Sequence, residues 1–487
     1  LLSSLSRQQK QALILTLLLW LLILSGIFSN TSLATPLPDM GNSYSKALSP
    51  AQEKALGQAV MREIRQKLPL ITDPEINDYL QSLGNQLTNH IEAPPHDFTF
   101  FAINDPSINA FAAPGGYIGI HTGLILATEN ESELASVLAH EIGHITQAHF
   151  ARRMEEIERM TLPRAAAFIA GVLLASIDPE LGYATLIATD AASIERQLGF
   201  SRNYERESDR VGLTLLSRAG FSPAASVSFL QKLQTFSGTD SQPIDFLLTH
   251  PLTEARMADI QNRVRQLPVP THQDSHEYTF VRAALEVLTD PQRQSVVKKA
   301  REAVKQAPDL FSYRYRLGIA YLHNEQPEKA EAVFAQLMED DSPRISYFIA
   351  LLKSVHSDSS TEKSTILFEA ANRLYPNHPT LTFHHCNNLI QANHADEAYQ
   401  ILRRHLLTRS ATPELYQLAA RSAAESGNET AGHRYLAEYY FERAYYRLAL
   451  EHLEKAIDKS WKRPVEAESH QARKQEIENF VEQRLNH

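Results

Sequence analysis

The sequence predicts an α+β fold in which a mostly helical domain with a small sheet is followed by an all-α array of helix pairs. Three observations carry that prediction. Strand-like runs are sparse and early, at Asp97–Ala102 and Gly116–His121, each flanked by Pro and Gly. Helical apolar periodicity dominates the rest of the first half. Beyond Phe280 strand signals vanish and helices come in pairs. At about 150 residues per domain, 487 residues leave room for two domains and a set of repeats. Hydrophobic residues at 43 % against 21 % charged supply more than one core.

In chain order, Ala12 to Phe28 is an apolar run preceded by Arg7 and Lys10 and closed by Ser32-Leu33-Ala34, so residues 1–34 read as a secretory signal peptide cut after Ala34. The alternative, an uncleaved anchor, meets a run slightly shorter than the ~20 residues a spanning helix needs. Because the chain opens on Leu1 rather than Met, a few residues are expected upstream. A polar linker, Thr35–Pro50, leads to helical patterns up to Pro69 and from Asp73 to His90, then to the two strands. Ser132–Met154 reads as one helix, and Pro163–Leu181 as a buried or lid-like helix, with a membrane-dipping hairpin as the alternative. Helices resume over Gln197–Ala219 and Pro223–Phe236, which places a first domain at residues 35–270.

The second domain, residues 280–487, contains one clean repeat. Leu317, Gly318, Tyr321, Ala330 and Phe334 fall at the spacings of the tetratricopeptide pattern, with the closing proline one place late at Pro343. Weaker copies follow in Ser364–Pro379, His384–Leu406, Glu414–Tyr440 and Arg443–Lys459. An ordinary helical bundle is the alternative. Stacked repeats of this kind form a curved groove that holds peptide segments, so this half reads as a binding platform. The 47 Lys and Arg against 57 Asp and Glu give a net charge of −10, or −12 without the first 34 residues. Such a field argues against nucleic acid as the main partner. A single cysteine, Cys386, excludes an intrachain disulfide.

His140-Glu141-Ile142-Gly143-His144 carries the chemistry. On a helix of about 3.6 residues per turn, positions four apart share a face, so both imidazoles can reach one Zn²⁺ with Glu141 beside them. With 20 His in the chain, accidental matches are expected on the order of 0.05 times. A catalytic zinc takes a third protein ligand and leaves the fourth position to water. Glu205 and Asp209, co-facial on a later helix, supply a ligand and an acceptor for the N–H of a ligating histidine. Taken alone, that pair also fits a surface stripe with Arg206 and Arg210. Glu207 points roughly 200° away from Glu205 at ~100° per residue, and reads as a solvated charge. The extended motif with a third histidine would require a glycine at position 147 and a histidine at position 150. The chain has Gln147 and Phe150 there, and His149 is about half a turn out of phase. Gly143 within the helix costs about 1 kcal/mol against Ala and signals close packing there.

Two further features accompany the motif. Asn109–Ile120 turns into a strand that begins at Gly116, Tyr117 and Ile118, expected either at the cleft edge, pairing with an extended substrate backbone, or as a plain hairpin. His250-Pro251, followed by Arg256, offers a fourth zinc ligand, an oxyanion stabiliser or an ordinary surface histidine.

Together, NAFAAPGGYIGIHTGLI, HEIGH, ERESD and the HP…R segment resemble the HtpX-type zinc metallopeptidases, and with the leader and repeats their soluble periplasmic branch. The resemblance covers nearly all of the chain after the leader. It implies a gluzincin fold with one Zn²⁺ per chain on His140, His144 and Glu205, Glu141 as catalytic base and Asp209 as the second acidic residue. It further implies that His250 can cap the metal and keep the enzyme latent, and that Ala165–Ile177 can plug the cleft. Ser208 stands where the family more often has Ala. The implied role is quality control of outer-membrane β-barrel proteins in the periplasm. Its substrates would be unfolded or misassembled chains, with the assembly machinery met through the repeats. The competing expectations are a non-catalytic tetratricopeptide chaperone or scaffold with a structural or silenced zinc site, and an integral-membrane protease. The latter has only Ala12–Phe28 as a candidate span.

Overall fold

A computed structural model describes residues 49–154, 202–239, 244–268, 270, 273–355, 360–408, 412–443 and 445–485. The leader, the linker and Pro163–Leu181 with its plug segment lie outside the described residues. Two capped helices open the fold. Helix α1 (Pro50–Lys67) begins with a reciprocal cap: the Ser49 hydroxyl accepts from Gln52 N–H at 3.3 Å, and Gln52 Oε1 accepts from Ser49 N–H at 2.9 Å. Helix α2 (Pro74–Thr88) has Pro at its start and Asp73 as its cap.

Strands β1 (Thr99–Ile103), β2 (Ala110–Ala113) and β3 (Tyr117–His121) form one sheet of order β1-β3-β2. β1 runs parallel to β3 with Thr99 opposite Tyr117, and β2 runs antiparallel to it with Ala112 opposite Ile118. The edge expected at Gly116, Tyr117 and Ile118 is therefore corrected. Tyr117 and Ile118 start the central strand, hydrogen-bonded on both sides, and Gly116 belongs to the turn Pro114–Gly116. The last strand is in the middle because β1, four of whose five residues are buried, claims its far side. β2 is the edge next to the site.

A short helix α3 (Thr122–Ala127) leads to α4 (Glu131–Thr146), whose residues from Glu131 to Ile145 are all buried. A helix buried all round is a core helix, and the acidic residues of its first turn, Glu131 and Glu133, are satisfied internally. Tyr79, Ser275 and the Ser275 N–H bond Glu131, while Ser228 and Lys232 bond Glu133. The single helix expected over Ser132–Met154 is two: α4 stops at Thr146, Ala148 takes φ +51°, and α5 (His149–Met154) restarts beyond it. Among the described residues, helices α6 (Arg202–Arg218), α7 (Ala224–Thr239), α8 (Asp245–Thr249) and α9 (Glu254–Val264) follow in this half. α4 and α6 cross closely: a Cβ on Gly143 would lie 2.9 Å from Ser208 Cα and O, and one on Gly212 would lie 3.1 Å from the Ala139 carbonyl. The glycine pair lets the two backbones touch.

From His276 to Leu485 the described chain is helical throughout, in a run of twelve: α10 (His276–Leu288), α11 (Arg293–Gln306), α12 (Phe311–His323), α13 (Pro327–Asp340), α14 (Ile345–Ser354), α15 (Ser360–Leu374), α16 (Pro379–Gln391), α17 (Ala395–Thr408), α18 (Pro413–Glu425), α19 (Glu429–Glu442), α20 (Tyr446–Lys459) and α21 (Pro464–Leu485). The repeat residues Gly318, Tyr321, Ala330 and Phe334 are buried in the α12–α13 hairpin. The array also folds back on the first two helices. Lys353 Nζ lies 3.0 Å from Asp73 and 3.4 Å from Glu75, the Tyr315 hydroxyl donates to Glu75 at 3.0 Å, and Thr380 bonds Asp78. Arg65 donates to the Glu442 carbonyl at 3.1 Å. Among the described residues no helix is long and apolar enough to cross a membrane.

Candidate metal centre and active site

Helix α4 presents His140, Glu141 and His144, and the close crossing sets Glu205 and Asp209 of α6 against them. His250, at the C-terminal end of α8, comes in from a third direction. His140, His144, Glu205 and His250 are all buried, and one ligand atom from each lies within 4.8 Å of the others. His140 Nε2 is 3.1 Å from His144 Nε2, 3.3 Å from His250 Nδ1 and 3.4 Å from Glu205 Oε2. Glu141 is fully buried, with Oε1 3.4 Å from His250 Nε2, and β2 packs on the same helix.

The second layer settles the protonation pattern. His140 Nδ1 is 3.0 Å from Asp209 Oδ1, so a proton is assigned there, and Nε2 faces the cluster, where it offers a lone pair once a cation takes the place of its own proton. Arg256 donates to Asp209 from Nε at 2.6 Å and Nη2 at 2.8 Å, and its Nη1 is 2.7 Å from Glu205 Oε2. One guanidinium thus holds both carboxylates of α6. Arg256 was legible only as part of the HP…R segment, with no role attached; its role depends on a fold that brings α9 under α6. Glu207, read from the sequence as a solvated charge, is partly exposed and also pairs with His149 at 3.0 Å and Arg152 at 2.8 Å.

The electrostatics follow from burial and charge. Burial works against protonation of His140, yet bonds to Asp209 and Glu205 raise it to about 9. Burial and the neighbouring His140 charge push His144 well below the ordinary histidine range. Against the burial cost, His250 and His140 hold Glu205 well below the carboxylate range, and Arg256 with His140 lowers Asp209. Burial raises Glu141 despite the opposing His250 and His140 charges. Imidazole nitrogens and a carboxylate with their lone pairs converging on one point repel unless a cation lies between them. Three imidazoles and one carboxylate oxygen are a zinc donor set.

An H-E-x-x-H helix crossed by a second helix that supplies a glutamate defines a zinc metallopeptidase. Residues 74–264 match the family model Peptidase family M48. The chain is 32 % identical over 429 residues to the β-barrel assembly-enhancing protease of Escherichia coli strain K12, covering 87 % of each. It is 34 % identical over 408 residues to a putative β-barrel assembly-enhancing protease of Vibrio cholerae, covering 80 % of this chain and 82 % of that one. Mitochondrial metalloendopeptidase OMA1 of Arabidopsis thaliana matches over 175 residues at 31 %, covering 36 % of this chain and 33 % of that one. The chain belongs to peptidase family M48 and is a zinc-dependent metalloendopeptidase.

Proposed function

We propose that this chain is a periplasmic metalloendopeptidase of outer-membrane β-barrel quality control, cleaving stalled or unfolded barrel chains while its repeats hold clients or the assembly machinery. The relatives' names support the β-barrel part of this reading, and the leader-like residues 1–34 support export. In this proposal His140, His144 and Glu205 hold the zinc, Asp209 with Arg256 orients His140, and His250 is a removable fourth ligand.

The observation that carries the reading is Glu141, a fully buried carboxylate beside the converging donors and beneath the edge strand β2. Zinc held there by His140, His144 and Glu205 would supply Lewis acidity to a water and to the scissile carbonyl. Glu141 takes a proton from the water as its oxygen bonds to the carbonyl carbon, and passes that proton to the amine nitrogen as the C–N bond breaks. In this proposal β2, Ala110–Ala113, the edge strand beside Glu141, pairs with the backbone of an extended substrate.

His250 Nδ1 inside the cluster favours a second reading, a four-ligand closed site that does not turn over. Degradation of an unfolded outer-membrane β-barrel chain by the exported form, with zinc content measured, separates the two. Cleavage by wild type or His250→Ala, and none by zinc-loaded Glu141→Gln, establishes the protease. No cleavage by any zinc-loaded form establishes the scaffold.

A further inference from the structure

His144 has a supporting chain of its own. Its Nε2 faces the metal donors, and its Nδ1 lies 3.0 Å from Nδ1 of His149. A neutral imidazole that offers Nε2 to a cation carries its proton on Nδ1, so His144 donates and His149 accepts. His149 then carries its own proton on Nε2 and donates it to Glu207 Oε2 at 3.0 Å, an oxygen that also accepts from Arg152 Nη1 at 2.8 Å. Ser208 Oγ stands 3.4 Å from the shared His149 nitrogen. Each hydrogen in the chain has one direction, and each step sets the tautomer of the next.

The surroundings hold His149 in that place. It is fully buried, Tyr204 stacks on its ring at 4.5 Å and 21°, and the Arg152 guanidinium lies over the Tyr204 ring at 4.6 Å. The turn that delivers it is strained: Ala148, a residue with a Cβ, takes φ +51°. Without that reversal α4 would continue and carry residue 149 away from His144. The arrangement parallels the one on the other ligand, where His140 is backed by Asp209 and Arg256. Both end in a carboxylate held by an arginine, but behind His144 an imidazole is interposed.

We infer that His149, held by Glu207 and Arg152, is a positioning residue that fixes the tautomer and ring orientation of His144 and so sets the zinc affinity of the site. The inference rests on His144 being a metal ligand. The test uses the full exported chain, with Zn²⁺ itself as the probe in chelator competition, and the melting temperature of the zinc-free form as a separate reading. His149→Phe keeps a flat ring against Tyr204 but cannot accept from His144. It should bind zinc about 10- to 100-fold more weakly, with the zinc-free melting temperature little changed. His149→Asn places Oδ1 where Nδ1 stands and should recover most of that loss. Glu207→Ala, on a partly exposed side chain, should weaken zinc binding severalfold. Wild-type affinity in both His149→Phe and Glu207→Ala overturns the inference, as does an asparagine variant no better than phenylalanine. A wild-type chain that binds no zinc overturns the metal reading and the inference with it.

Discussion

Replacing Gly143 by alanine puts a methyl group into the tightest backbone contact of the site. The new Cβ would stand 2.9 Å from Ser208 Cα, 2.9 Å from its carbonyl oxygen and 3.2 Å from its Cβ, where ordinary contacts begin at 3.4 Å. Two of the obstacles are backbone atoms, so α6 itself must retreat, by about 0.5 Å or more on those distances. Overpacking of this kind costs about 1–3 kcal/mol, and the better helix propensity of alanine returns about 1 kcal/mol. The net loss of stability is thus about 0–2 kcal/mol. The site fares worse, because Glu205 and Asp209 ride on the displaced helix while His140 and His144 do not. A shift of about 0.5 Å reaches the tolerance of a metal constellation, and about 1 Å of misplacement can cost about 10²-fold in rate. The expectation is therefore a split: urea unfolding of the zinc-free variant within about 2 kcal/mol of wild type, with zinc affinity and peptide cleavage reduced about tenfold or more. A variant with undiminished zinc affinity and cleavage would show that the crossing tolerates the methyl group, and would refute the reasoning.

Arg256→Met should destabilise the zinc-free protein by about 3–5 kcal/mol in urea unfolding, because it leaves Asp209 and Glu205 as buried charges without their guanidinium; a change under about 1 kcal/mol would mean the bridge is not formed. Lys353→Met should cost about 1–3 kcal/mol by leaving the partly buried Asp73 and Glu75 without their cation, and should speed proteolysis between the metal-binding half and the array; an unchanged digestion pattern would count against that docking. Stability should also fall with acidity. Burial depresses His121 and His385 to about 4, so between pH 6.5 and 4 the unfolded chain binds protons that the folded chain refuses. Each group then removes about 2 kcal/mol between pH 7 and 5. His385→Gln, measured beside wild type at both pH values, should lose less stability on acidification; an equal loss would exclude His385 as a source.

What local periodicity governs was legible in the chain. Four-residue spacing places His140 with His144 and Glu205 with Asp209 on common helix faces whatever else the protein does, and the small residues of the repeat announce the α12–α13 hairpin in the same way. Gly143 signalled a close approach because glycine inside a buried helix is costly without one. The same period left the partners of His149 and Glu207 out of reach. It assumes an unbroken helix and an empty surrounding, whereas Ala148 reverses the backbone and Arg152 and Tyr204 gather around Glu207 and His149. Strand order was equally out of reach, since alternation shows that Tyr117–His121 is a strand but not which strands flank it.

The sequence by itself therefore determined the metallopeptidase motif, the helical character of the chain beyond Phe280, and the helix faces that carry His140 with His144 and Glu205 with Asp209, because these depend on contacts within a few residues. Tertiary structure alone decided that His250 reaches His140 across 110 residues, that Arg256 holds both carboxylates of α6, that β2 rather than β3 is the edge, and that the array anchors on Asp73 and Glu75. Those pairings join segments far apart in the chain. No local period encodes them, and the packing of one buried surface against another selects them.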